Sequence, residues 1–253
     1  MNNRMVELYN KTSKHSGYQM LPNRLSFLFK DSDIKIKSRY EKERLAYIIS
    51  KIEVRGKNIL DIGGNTGYFS FELIDRGAKL VEYYEGNKEH AEFVKEAAKL
   101  LNLDDRIIVN NCYLSFDTSS LKGKEYDIAL LLNVLHHYGD DYGDKKIQIN
   151  EAKKEMIKQL NKLAYKAKIL VFQLGFNWKG DISNPLFRSG SKAEMISFVK
   201  EGIRNHWGVL HVGIAEETNN GIEYRDLNDK NIERKDNLGE FLNRPIFILK
   251  SSL

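Results

Sequence analysis

The sequence predicts an α/β fold: a doubly wound, seven-stranded sheet with an antiparallel last strand, preceded by a helical N-terminal cap. Three observations predict it. From residue 58 onward, short β-branched runs alternate with longer amphipathic stretches, the pattern of βαβ units around a parallel sheet. The first such run ends in a glycine-rich turn that opens at once into an apolar-periodic helix. The chain has 253 residues, 42% hydrophobic and 30% charged, enough to bury one full core without the composition of a disordered protein.

The elements follow in order. Residues 1–57 form the cap, in which Ser38–Lys51 reads as a helix with Tyr40, Leu45, Tyr47 and Ile48 on its packing face. Residues 58–253 form the sheet domain. Its strand candidates are Asn58–Ile62, Lys79–Tyr84, Arg106–Asn110, Tyr126–Leu132, Lys168–Leu174, Val209–Ala215 and Ile246–Leu249. Helices are expected near 66–76, 87–102, 146–166 and 191–205. In the third of these, Ile149, Ala152, Met156, Leu160 and Leu163 recur at spacings of three and four. Residues 216–244 are polar and Asn-rich, a long excursion between the last two strands, and loops of that length usually carry function.

Composition closes off several function classes. A single cysteine, Cys112, permits no internal disulfide and no cysteine-rich zinc site. No apolar run reaches the roughly 20 residues of a membrane-spanning helix, and the N-terminus lacks the apolar segment of a secretory signal. A cytoplasmic protein with no membrane span is the expectation. The net charge of +5 is unevenly placed: residues 1–57 hold 13 Lys+Arg against 6 Asp+Glu, and the remainder 27 against 29. A basic leader of this kind suits a nucleic-acid footprint, a lid over an anionic substrate, or a solvated helix face.

The sharpest motif is NILDIGGNTGYFSFEL, residues 58–73. Glycines after a buried strand let the backbone turn tightly against a ligand at the following helix N-terminus. The loop does not supply the dinucleotide pattern G-x-G-x-x-G; it reads D-x-G-x-N-x-G, with Asp61 at the strand end. Eighteen residues past Gly67, at the end of the next strand, stands Glu85, where a carboxylate can accept both hydroxyls of a ribose. Without further signals, such a loop also fits a nucleotide or flavin site, or a catalytically dead domain.

Asp61, Gly63, Gly64, Asn65, Gly67 and Glu85, together with YDIALLLNVLHHYGDD (126–141) and the antiparallel final strands, resemble the Rossmann-like class I S-adenosylmethionine-dependent methyltransferases. The resemblance covers roughly residues 58–250. It implies S-adenosylmethionine as cofactor, with the loop 63–67 against its methionine part and ribose. It also implies that Cys112 and Tyr113, with Asn111, flank the adenine, and that Asn133 belongs to the cofactor site. Many family members carry an Asp where this chain has Tyr113. The stretches KHSGYQMLP, SRYEKERL and LGEFLNRPIFIL further resemble methyltransferases of bacterial surface-polysaccharide (capsule or O-antigen) biosynthesis.

Methyl transfer to a hydroxyl needs positioning and a base near neutral pH. His136 and His137, after the fourth strand, are the candidates; His137, further along the loop, is favoured over His136, and one of the two can simply pack. An acceptor already anionic needs no base, and cationic orienters matter instead. Arg39 could bind the methionine carboxylate in a bidentate fork or form a surface ion pair, while Arg44 is expected to pair with Glu41 or Glu43 at the surface. His15, Tyr18 and Gln19 in the leader, and Asn177, Trp178 and Lys179 after the fifth strand, are candidate acceptor contacts, with Trp178 as a packing anchor the alternative. No metal is expected, because adjacent residues such as Asp140 and Asp141 rarely ligate one ion together. The reading is an O-methyltransferase acting on a small anionic acceptor or glycan, a sugar or sugar-linked phosphoryl group of a surface-polysaccharide precursor. No nucleic-acid partner is expected, and the oligomeric state is left open. RNA methylation and non-catalytic cofactor sensing are the rival readings.

Overall fold

Strand β1 (Asn58–Ile62) is buried on both faces, with Ile59 and Leu60 fully buried and Asp61 the one buried polar residue, as in a strand covered on both sides. The structure, a computed structural model, describes residues 2–11, 19–30, 34, 36, 38–116, 121 and 123–253. The chain divides into two units, residues 1–114 and 115–253.

The first unit carries α1 (Asn2–Asn10), α2 (Asn23–Leu28), α3 (Glu41–Lys51), β1, α4 (Tyr68–Asp75), β2 (Leu80–Tyr84), α5 (Lys88–Leu100) and β3 (Ile107–Asn110). Its strands lie in the order β3-β2-β1 and run parallel, with Asp61 opposite Tyr83 and Tyr84 opposite Asn110. Parallel neighbours need crossover connections, and α4 and α5 supply them. Helix α4 is buried from Tyr68 to Ile74, so its two polar residues there need partners: Ser70 has Asp61, and Glu72 has Asn23 and Arg76. Helix α5 is amphipathic, its N-terminus capped by the Asn87 side chain, which accepts the His90 N–H. Tyr9 of α1 packs edge-on against Phe93 of α5. The described residues of the segment 1–57, read as the cap, thus hold three helices.

The second unit holds β4 (Tyr126–Leu132), α6 (Ile149–Lys162), β5 (Ala167–Gln173), α7 (Lys192–Ile203), β6 (Trp207–Thr218), β7 (Gly221–Asp226), α8 (Gly239–Leu242) and β8 (Ile246–Ser251). Its strand order is β4-β5-β8-β6-β7; β4 and β5 are parallel, and the other pairings are antiparallel. The strand centres Leu130, Leu131, Leu170, Val171, Phe247 and Ile248 are all buried, with Met156 and Leu160 of α6 and Met195 and Val199 of α7. Ser191 caps α7, and Glu194, three residues on, bonds the preceding loop.

The α/β architecture and the antiparallel closing strand agree with the sequence reading; the strand number differs. Eight strands are present among the described residues, not seven. The additional strand, β7, lies in the polar excursion, where Thr218 pairs with Gly221 across Asn219 and Asn220. A two-residue connection rich in asparagine, followed by a glycine, is a hairpin signal, but the strand it leads into, GIEYRD, is too polar to show as a buried run.

Candidate functional site

The glycine turn is built from the strands upward. Gly63 N–H donates to the Tyr84 carbonyl at 2.8 Å, which ties the loop to the end of β2. Gly63, Asn65 and Gly67 have φ of 69°, 52° and 81°, in the left-handed region that glycine and asparagine tolerate best. Asn65 further holds its own turn, its Oδ1 accepting the Thr66 N–H. Gly64 has ordinary backbone but no room: a Cβ there would stand 2.4 Å from the Tyr83 ring and 2.9 Å from Asp61 Oδ2. The Tyr83 hydroxyl donates to the Asn65 carbonyl, bracing the same loop from β2.

Two carboxylates flank it. Asp61 is buried, and its Oδ2 accepts the Ser70 hydroxyl at 2.6 Å. Burial pushes its carboxyl up to about 6, the Ser70 bond opposes this, and the Glu85 charge adds to it. Glu85 Oε2 accepts the Asn65 N–H at 2.9 Å and Oε1 accepts the Asn87 N–H at 2.8 Å. A carboxylate has about four acceptor sites, and these two bonds take one on each oxygen. Beyond β3, Cys112 is exposed, and the half-exposed Tyr113 ring covers Gly86, where a Cβ would lie 2.2 Å from it. Asp61, the 63–67 loop, Glu85 and the Tyr113 ring therefore belong to one neighbourhood of the first unit.

The leader contributes a residue with a different job from the one expected. Gln19, read as an acceptor contact, is buried and accepts the Tyr68 N–H at 2.9 Å and the Thr66 hydroxyl at 3.2 Å. Its carbonyl accepts the Tyr9 hydroxyl. It thus supplies the cap that Gly67, without a side chain, cannot give to α4. His15 and Tyr18 lie outside the described residues. Three leader cations face carboxylates of the same unit: Arg4 with Glu92, Lys11 with Glu89 at 2.5 Å, and Arg24 with Asp75 at 2.8 Å. Arg39 gives its backbone N–H to both oxygens of Glu41, and its carbonyl accepts from Arg44 Nε.

Arg44 corrects an expectation. It pairs with Glu41 at 3.3 Å, but in the interior, with side-chain exposures of 5% and 0%, not at the surface. The reason is packing: its guanidinium lies 5.1 Å over the Phe69 ring, and a planar, weakly hydrated cation is the one that tolerates this.

In the second unit, β4 runs out into Asn133 (φ 62°) and a 3₁₀ turn, Leu135–His137. His136 is buried, its Nδ1 accepting the Gly175 N–H at 3.3 Å; Gly175 has no space for a Cβ, which would sit 2.6 Å from that ring. His137 is more open, and its Nδ1 stands 3.4 Å from Asp141 Oδ2 and 3.9 Å from Asp140 Oδ2. These three donor atoms lie within 4.8 Å of one another, a grouping of the kind that can hold a metal ion. Trp178 is 8% exposed and its Nε1 donates to the Tyr138 carbonyl at 2.7 Å, so the indole anchors the histidine turn. Lys179 Nζ lies 4.1 Å over that indole, and Asn177 forms a β-bridge with Pro185. Asn133, His136, His137, Trp178 and Lys179 are therefore neighbours through one set of loops. Sequence reasoning missed Gln173, Glu240 and Arg244, which bond Asn133 or its surroundings. The i,i+4 spacing of Glu240 and Arg244 was visible as an ion pair, but their third partner was not.

No protein-family model and no curated protein matches the chain. Solved structures do. A candidate RNA methyltransferase from Pyrococcus horikoshii aligns over 100% of this chain and 99% of its own at 14% identity, with a TM-score of 0.51. WbdD, crystallised with the kinase inhibitor LY294002, aligns over 97% of this chain and 47% of its own at 16% identity and a TM-score of 0.60. The fold is that of Rossmann-like methyltransferases. A candidate SAM-dependent methyltransferase from Streptococcus mutans gives the same result at 11% identity, over 83% of this chain and 48% of its own, with a TM-score of 0.51. No helix among the described residues is long and apolar enough to cross a membrane.

Proposed function

We propose that this protein is an S-adenosylmethionine-dependent O-methyltransferase acting on a small anionic acceptor, a sugar or sugar-linked phosphoryl group of a surface-polysaccharide precursor in the cytoplasm. One observation carries the cofactor assignment: Glu85 at the end of β2 is tied by its carboxylate to the backbone of the β1 turn, at Asn65. That arrangement holds an acid beside a tight, side-chain-poor loop, which suits a ribose and the chain attached to it. Asp61, Gly63, Gly64, Asn65, Gly67, Glu85, Cys112 and Tyr113 are the residues of the first unit that would hold the cofactor; Arg39 and Asn133 complete the proposed set.

Bound there, S-adenosylmethionine supplies an electrophilic methyl group on a sulfonium. Glu85 fixes the ribose by accepting its hydroxyls, and the loop 63–67 admits the backbone close to it. In the second unit His137 takes the acceptor hydroxyl proton, with Asp141 and Asp140 stabilising the imidazolium that results. His136, the other candidate, is buried and accepts the Gly175 N–H at Nδ1, which favours His137 for this role. With an acceptor oxygen already ionised, His137 instead orients it as a donor. Asn177, Trp178 and Lys179, with His15, Tyr18 and Gln19, complete the proposed acceptor contacts. For Gln19 and Trp178 their own hydrogen bonds point to a supporting task.

RNA methylation is the second reading, favoured by the likeness to the Pyrococcus horikoshii structure. Radiolabelled methyl transfer against nucleotide sugars, sugar phosphates and bulk RNA separates the two. Label in the sugar pool supports the first reading; label in RNA alone overturns it.

A further inference from the structure

The stretch from Leu227 to Pro245 belongs to no strand, and the proposed chemistry leaves it without a task. It is nonetheless fastened at several points within the second unit. Lys192, buried at the start of α7, donates from Nζ to the Asn231 carbonyl at 3.0 Å. Arg234 donates to the Gly190 carbonyl at 2.8 Å, and its guanidinium lies 5.0 Å over the Phe176 ring. The last fastening is the most directed. Arg244 binds Glu240 through Nε at 2.9 Å and Nη2 at 2.6 Å, and reaches Asn133 Oδ1 from Nη1 at 2.8 Å.

A guanidinium is planar with its five N–H groups in fixed directions, so a bidentate bond to Glu240 settles where Nη1 points. At Asn133 the other end of the amide is held too, Nδ2 donating to Gln173 Oε1 at 2.9 Å and the backbone N–H to the Gln173 carbonyl at 2.8 Å. Gln173 in turn donates to the Arg244 carbonyl at 2.9 Å. Glu240 Oε1 also accepts the Phe176 N–H at 3.0 Å, one residue beyond the Gly175 N–H that binds His136. Burial pushes the Glu240 carboxyl up, but the Arg244 fork, the Phe176 bond and the Arg234 charge outweigh it and hold the group below its ordinary value.

We propose that Glu240 and Arg244 are positioning residues, a clamp from the C-terminal excursion that fixes Asn133 and the β5 exit and so sets the turn that carries His136 and His137. Its functional meaning rests on the proposed role of His137. The clamp itself is a statement about the second unit alone.

The test compares the full-length wild type with Arg244→Ala, Arg244→Lys and Glu240→Gln, by amide hydrogen exchange and by the imidazole Cε1–H signals of the two histidines. Loss of Arg244 is expected to raise exchange at residues 133–138 and 176 about tenfold or more and to move both histidine signals. Leu130, Val171 and Ile248 in the strand centres should keep their rates. Lysine at 244 should restore part of the pattern, since it can replace one bond of three. Should Arg244→Ala fail to fold, Glu240→Gln, which keeps an acceptor for Phe176, should show the same pattern at smaller amplitude. Unmoved histidine signals overturn the proposal, as does acceleration spread evenly over β4, β5 and β8, the mark of a general stabiliser. The localised pattern in a protein that methylates nothing supports the clamp and removes the proposed chemistry. Methyl transfer with histidine signals indifferent to Arg244 does the reverse.

Discussion

At the scale of single residues, the two histidines after β4 differ in what surrounds them. His136 sits against Gly175 with its Nδ1 already accepting a backbone N–H, while His137 has two aspartates within 4 Å. His137→Ala should lower methyl transfer to a hydroxyl acceptor by about 10²–10⁴ and leave S-adenosylhomocysteine affinity unchanged, as read by labelled-methyl turnover and calorimetry. An unchanged rate points to an acceptor that is ionised from the start. His136→Ala should act on stability instead, by about 1–3 kcal/mol. Asp61 offers a pH test. Its folded value, raised from 3.8 to about 6, means that the folded state binds the proton more tightly than the unfolded state. Its contribution to stability therefore falls as pH rises between about 4 and 6, and is level above that range. Asp61→Asn keeps an acceptor for Ser70 and should remove that slope; urea titrations in which both proteins follow the same pH dependence would contradict burial of Asp61 as its cause. The sequence showed which residue types stood at the strand ends. It could not show that Gln19 spends its side chain on the α4 N-terminus, because that bond spans 49 residues. Gln19→Ala should cost about 1 kcal/mol, as the loss of a helix cap does, and weaken cofactor affinity through the loop.

At the scale of elements, the β1 turn is over-determined and the polar excursion is not what its composition suggests. Gly64→Ala drives a methyl group into the Tyr83 ring and Asp61, so it should cost about 1–3 kcal/mol and lower S-adenosylhomocysteine affinity, measured by urea unfolding and calorimetry. Strands β1 to β6 and β8 and helices α4 to α7 were legible because each buries a face, and burial writes a period into the sequence. Strand β7 was not: its burial pattern has one buried residue in six, Tyr224, and its place is set by the hairpin and by pairing with β6. Trp178 shows the same limit in the candidate site. An aromatic on a strand-exit loop reads equally as a sugar platform or an anchor, and only the bond from its indole N–H to Tyr138 separates the two.

At the scale of the whole chain, the distribution of charge has an internal explanation as well as the external one. The leader's 13 cations face 6 acids in sequence, yet Arg4, Lys11 and Arg24 meet carboxylates on α5 and α4. Lys11 bonds Glu89 and holds that carboxyl below its ordinary value. Exposed pairs of this kind contribute about 1 kcal/mol at most, so they guide the leader to its place more than they stabilise it. Part of the apparent anion-binding charge is thus complementarity within the first unit. Binding to bulk RNA should accordingly be weak, without the steep salt dependence that counterion release from many phosphate contacts imposes. Fold class was readable at this scale from alternation of runs, while the acceptor was not, since it depends on loops whose side chains meet only in three dimensions. The most direct test is calorimetry of S-adenosylhomocysteine on the wild type and on Glu85→Ala. Saturable 1:1 binding that weakens at least about tenfold without the ribose carboxylate is the predicted result; no binding, or equal affinity in both proteins, would contradict the account.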